Sequence, residues 1–92
     1  MEYLELFNMV KTNLRVLGTS FDEAEIEPLI LTAQEDIEAS TGKPFDIDNR
    51  MQCLAVVTFV KAHFGSGDTQ DRYLQRYEMM LRKIGVQRMG HD

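Results

Sequence analysis

Residues 48–64 read DNRMQCLAVVTFVKAHF, and this stretch decides the fold. Met51, Cys53, Leu54, Ala55, Val56, Val57, Phe59, Val60 and Ala62 point in nearly every direction around a helix. A helix that is apolar all round belongs in the middle of a domain. The β-branched residues also suit a strand, but the run is too long for one and lacks period-two alternation. Asp46 or Asp48 is the expected cap, and Gly65-Ser66-Gly67 the expected break.

Three amphipathic segments surround this one. In residues 2–17, Tyr3, Phe7, Val10, Leu14 and Leu17 recur at spacings of three and four, and Gly18 is a natural stop. In residues 21–41, Ile26, Leu29, Ile30, Ala33 and Ile37 form the core stripe. Ser20 and Glu23 have the spacing of a capping box, and Asp22, Glu23, Glu25 and Glu27 suit the positive end of the helix dipole. Pro28 conflicts with this helix, so a kink, or a regular helix starting only near Pro28, is expected. Gly42, Lys43 and Pro44 form a stop. In residues 68–84, Tyr73, Tyr77, Met80 and Ile84 form one stripe with Leu74 and Leu81 on its shoulder, and Gly85 ends it. The expectation is all-α: one four-helix domain over residues 1–85 with a buried third helix, and a short flexible tail over residues 86–92.

The chain has 92 residues and a net charge of −5. That charge is uneven. Residues 21–48 carry nine acids against one base, whereas residues 49–92 carry seven bases against four acids. An acidic total argues against a dedicated nucleic-acid-binding module. The single cysteine, Cys53, excludes an internal disulfide and a Cys-rich metal site. No run reaches the length of a membrane span, and the first residues lack the pattern of a signal peptide, so a reducing cytoplasm is expected.

The search for catalytic chemistry is mostly negative. His63 and His91 are the only histidines, and no HExxH is present. Cys53 reads as a buried inert thiol, and His63 as a residue favoured by the dipole at a helix end. Counting a calcium loop from Asp46 puts Met51 and Val57 where glycine and glutamate are needed, so the match fails. The 65–68 turn lacks the length and lysine of a phosphate loop. Glu35, Asp36 and Glu38 read as a solvated face. No cofactor, metal or catalytic residue is expected.

Two surface stripes stand out. Glu27, Leu31, Glu35 and Glu38 place one leucine among acids, and Arg72, Arg76, Met79 and Lys83 place one methionine among bases. The plain reading is two solvated faces with one stray apolar residue each. The sharper reading is a pair of complementary patches on unlike faces of neighbouring copies, a head-to-tail contact able to close into a ring.

A family resemblance bears on that choice. Residues 10–16 (VKTNLRV), Phe21-Asp22-Glu23, residues 29–33 (LILTA), Asp36-Ile37-Glu38, residues 41–46 (TGKPFD), residues 59–65 (FVKAHFG) and the closing Tyr73 with residues 77–81 (YEMML) resemble, as an ordered set, the phage head–tail connector proteins. The resemblance covers roughly residues 3–85. It implies a small helical adaptor, or head-completion protein, of a tailed bacteriophage or prophage. Such a protein forms a homo-oligomeric ring below the portal at the head–tail junction of the virion, after synthesis in the host cytoplasm. The ring extends the DNA channel toward a tail-side connector component and catalyses nothing. DNA passes without sequence-specific binding, which an acidic wall favours by repelling phosphates. Lys43, Asp46 and Asp48 are then expected in a lumen or partner loop, although an ordinary interhelical turn explains them equally well. Residues 86–92, with Arg88, are expected to order on a partner such as the portal.

Two alternatives remain. A small helical DNA-binding regulator would use the bases of the fourth helix. A helical enzyme resembling the chorismate mutases would need converging cations on a longer first helix than one stopped at Gly18.

Overall fold

The computed structural model describes the backbone of residues 2–89 and side chains as far as residue 85. Four α-helices follow in order: α1 (Tyr3–Val16), α2 (Glu23–Thr41), α3 (Arg50–Phe64) and α4 (Gly67–Met89). The all-α, four-helix expectation holds.

α3 is the hub. It packs against each of the other three helices, α2 also touches α1 and α4, and α1 and α4 do not contact each other among the described residues. The apolar composition of α3 explains this position: Cys53, Ala55, Val56, Val57, Val60 and Ala62 are all buried. Only helices on several sides can remove so many directions from water. Leu54 is the departure, with part of its side chain facing solvent. Gln52 and Thr58 are polar but buried, and both are satisfied. Gln52 Oε1 accepts from the Asp46 amide at 2.8 Å, and the Thr58 hydroxyl donates to the Leu54 carbonyl at 2.8 Å.

α1 buries Leu6, Val10 and Leu14. Two members of the expected stripe therefore lie elsewhere: Tyr3 and Leu17 are exposed, and Phe7 is half-buried. Fourteen residues offer two adjacent apolar stripes that share Val10 and Leu14, and packing against α3 selects the one with Leu6. Leu17 instead belongs to the cap. The Thr19 amide donates to the Leu14 carbonyl at 3.0 Å and the Gly18 amide to Arg15 at 2.9 Å, with Gly18 at φ 73°. That is a Schellman ending, which needs the left-handed conformation glycine adopts without strain.

α2 buries Ile26, Ile30, Ala33, Ile37 and Thr41, and Gly42 takes the left-handed cap at φ 73°. Its start corrects the sequence reading. Asp22, not Ser20, caps it by accepting from the Ala24 amide at 3.0 Å. Glu23 turns instead to Lys11, 3.0 Å away, and so ties α2 to α1. The helix is already regular at Glu23 and continues through Pro28. α3 is likewise capped by Asn49, whose Oδ1 accepts from the Gln52 amide at 3.1 Å, rather than by Asp46 or Asp48.

α4 begins at Gly67, and Tyr77 and Ile84 are its buried anchors. Gly65 makes the tight turn possible. A Cβ there would stand 3.2 Å from the Gln70 amide nitrogen and 3.3 Å from its Cα. Gly85 does not stop α4, which runs on to Met89. One glycine costs a helix only about 1 kcal/mol, which an otherwise sound helix absorbs. The expected tail loses its first four residues, 86–89, to the helix. His91 and the Arg88 side chain lie outside the described residues.

Candidate functional site

The Tyr77 hydroxyl donates to Asp36 Oδ2 at 2.6 Å, so these two side chains mark the line along which α2 and α4 face each other. Asp36 is thereby taken out of the solvated acidic face assigned to it from the sequence. Burial, and then the Asp36 carboxylate as acceptor and charge, hold the Tyr77 hydroxyl well above the ordinary tyrosine range. The tyrosine stays neutral and donating.

The positions of the two stripes follow from this line. At about 100° per residue, Glu27, Leu31 and Glu38 point roughly 140–180° away from Asp36, and Glu35 about 100° away. Arg72, Arg76, Met79 and Lys83 point roughly 100–160° away from Tyr77. Both stripes therefore turn outward. At one end of the acidic stripe Glu27 lies near Tyr3 of α1, whose hydroxyl is shifted upward first by burial and then by that charge. The basic one lies on α4. No ion pair joins the two stripes among the described residues.

All eight stripe residues are exposed. Leu31 is 44 % and Met79 52 % exposed, so each charged stripe carries a large apolar group in water. Glu38 has a second duty: its Oε2 accepts from the Phe45 amide at 2.9 Å and steadies the loop after α2. None of Lys61, Arg72 and Arg76, and neither Glu27 nor Glu35, forms an ion pair among the described residues.

Lys43, Asp46 and Asp48 fall together in the loop between α2 and α3. Asp46 Oδ1 accepts from the Asp48 amide at 2.9 Å, an Asx turn leading into the Asn49 cap. Phe45 and Ile47 pack on the core and pin the loop from below. A cavity of about 480 Å³ opens beside it, lined in part by Met9, Ile47, Arg50, Cys53 and Leu54. Cys53 is buried, and its thiol donates to the Ile47 carbonyl at 3.1 Å. Burial, with Asp46 and Asp48 adding to it, pushes that thiol up and away from the reactive thiolate.

The sequence reading missed a second cavity, of about 240 Å³, where the ends of α1 and α3 meet the start of α4. Leu17, Phe64 and Tyr73 give it apolar walls, and Thr19, Lys61, Ser66 and Thr69 give it polar ones. The Lys61 ammonium lies 5.5 Å from the centre of the Tyr73 ring, and the Arg76 guanidinium 5.6 Å from the same ring. The basic stripe thus borders this cavity. The Tyr73–Arg76 spacing was readable in one helix, but the approach of Lys61 from α3 exists only in the folded chain.

His63 is exposed in the last turn of α3, edge-on to Phe64. Among the described residues no group of three His, Cys, Asp or Glu side chains is placed to hold a metal ion, and no helix is long and apolar enough to cross a membrane.

Searches against protein families, curated proteins and solved structures return no match to this chain. The site must be read from its own chemistry.

Proposed function

We propose that the protein is a structural assembly subunit, a head–tail connector that forms a ring below the portal of a tailed phage or prophage and extends the DNA channel toward the tail. The observation that carries this reading is an acidic stripe on α2 and a basic stripe on α4 of one small domain, both exposed and turned away from the α2–α4 contact, each with an exposed apolar residue. A contact between unlike faces is heterologous, and repeated with the right rotation it closes into a ring. Charge sets the register, while Leu31 and Met79 supply apolar area. The ordered resemblance to connector proteins supplies the setting: portal on one side, tail component on the other, and DNA passing without sequence-specific contacts. The clamped loop bearing Lys43, Asp46 and Asp48 suits a lumen or partner surface, because a loop held on a rigid scaffold presents side chains reproducibly.

Electron microscopy of the purified protein, alone and with the portal of the same phage, tests the proposal. Rings that require the portal, or rings of the protein alone, support it. Failure to bind the portal in a pull-down, together with no assembly at high concentration, overturns it.

The second reading is a small DNA-binding regulator, favoured by the four exposed bases Arg72, Arg76, Arg82 and Lys83 on one helix. A DNA mobility shift that weakens steeply with salt would select it. Asp68, Asp71 and Glu78 on the same helix weigh against it.

A further inference from the structure

We infer that the cavity between Leu17, Phe64 and Tyr73 is a socket for Leu31 of a second copy of this chain, with Glu27 and Glu35 of that copy meeting Lys61 and Arg76. This deepens the assembly reading and rests on it. Knob and socket match in size and charge. Leu31 is a single large apolar side chain, exposed, with a carboxylate one helical turn to either side. The socket is a half-open depression of about 240 Å³, enough for a leucine side chain, whose lining mixes the apolar Leu17, Phe64 and Tyr73 with polar groups. Two cations converge on its Tyr73 wall, at 5.5 and 5.6 Å from one ring, with no carboxylate partner among the described residues. Like charges sharing one ring repel each other, and an arriving carboxylate relieves that repulsion. Leu31 is not among the residues lining the socket of its own chain, so the knob is left for another copy. Each copy offers one of each, as a head-to-tail contact requires.

Disulfide trapping between two proteins tests this. One carries Leu31→Cys and the other Thr69→Cys, and the buried native Cys53 stays in both. The pair is mixed at about 1 mM, where even a weak contact is populated, and mildly oxidised. The expected result is a mixed dimer in roughly tenfold or greater excess over either like dimer, because docking gives the two thiols a high effective concentration. Adding Arg76→Glu and Lys61→Glu to the Thr69→Cys chain should abolish the excess. Adding Glu27→Lys and Glu35→Lys to the Leu31→Cys chain should restore it. Ser66→Cys serves as an independent socket position if Thr69→Cys disturbs folding by circular dichroism. A statistical mixture of dimers from both socket positions overturns the inference. Rings by microscopy with only statistical cross-linking would leave the connector reading standing and remove this contact. A specific mixed dimer from a protein that ignores the portal would keep the contact and remove the connector reading.

Discussion

Tyr77 and Asp36 are 41 positions apart in the chain, yet the Tyr77 hydroxyl lies 2.6 Å from Asp36 Oδ2 and holds α4 to α2. The ring of Tyr77 also packs against Phe59 of α3, 5.3 Å between centroids, so one side chain touches both neighbours of α4. Tyr77→Phe keeps the ring and removes only the hydrogen bond. A bond to a carboxylate is worth about 1.5–3 kcal/mol, and Asp36, half in water, recovers part of that on losing its donor. The expected cost is about 1–2 kcal/mol in chemical denaturation. Unchanged stability would mean that the bond is replaced by water without loss.

The same pair makes the fold sensitive to alkali. Burial and the Asp36 carboxylate raise the Tyr77 hydroxyl above its ordinary value of 10.0. Above that value the unfolded chain releases the tyrosine proton while the folded chain keeps it, so stability falls as pH rises. Cys53, raised from 9.0 by burial, adds to the loss from a slightly lower pH. Unfolding free energy measured from pH 8 to 11 should therefore decline, and Tyr77→Phe should flatten the part above 10. An equally steep decline in that variant would exclude Tyr77 as its source.

Gly65 brings α4 against the end of α3. Alanine there would press its Cβ on the backbone of Gln70, at 3.2 and 3.3 Å, where no side-chain rotation relieves the contact. The Gln70 side chain also reaches back to the Ala62 carbonyl at 3.2 Å, which fixes that turn further. Gly65→Ala should cost about 1–3 kcal/mol, the range of an overpacked site. Because this turn lines the proposed socket, its displacement should also lower the yield of the Leu31–Thr69 cross-link. A variant melting with the parent would show that the turn moves freely.

Asn49 and Asp48 separate two readings of one cap. Asn49 Oδ1 accepts from the Gln52 amide, so Asn49→Ala should lower stability by about 1 kcal/mol. Asp46 Oδ1 receives the Asp48 amide, a bond that Asp48→Ala leaves intact. Asn49→Asp, which keeps an accepting oxygen, should recover most of the Asn49→Ala loss in the same denaturation series. An unchanged stability in Asn49→Ala would remove Asn49 as the cap.

What the sequence made legible was governed by period and composition. The helical identity of all four segments, the central place of α3 and the Gly42 stop follow from residues close in the chain. The phase of α1 did not, because Tyr3 and Leu6 start stripes equally apolar, and α3 decides between them. The caps Asp22 and Asn49 each sit one or two residues from another good cap, so local chemistry alone does not choose. The two charged stripes were visible as i, i+4 and i, i+3 patterns. Their turning away from one shared helix contact was not, since it depends on the Tyr77–Asp36 pairing. Nor was the socket, which takes Leu17, Lys61 and Tyr73 from three helix ends.

Pro28 sits sixth in α2, where it has no amide to donate to the Ala24 carbonyl and its ring crowds that carbonyl. The cost of proline inside a helix is about 3 kcal/mol. Two effects reduce it here. Ala24 and Pro28 are both exposed, so the unserved carbonyl can bond to water. Proline also restricts the unfolded chain, which favours folding by about 0.4–1 kcal/mol. The helix cost remains the larger, so Pro28→Ala should stabilise the protein by about 1–2 kcal/mol. At this chain length each kcal/mol raises the melting temperature by roughly 4–8 °C. Pro28→Gly should gain much less, because glycine gives back about 1 kcal/mol of helix propensity. Pro28 is also three residues before Leu31, and restoring the missing hydrogen bond there bears on how the knob is presented. If Pro28→Ala raises the melting temperature but halves the yield of the Leu31–Thr69 cross-link, the proline sets the aim of the acidic stripe. If both rise together, it is only a tolerated defect. A fall in melting temperature would contradict the helix argument itself.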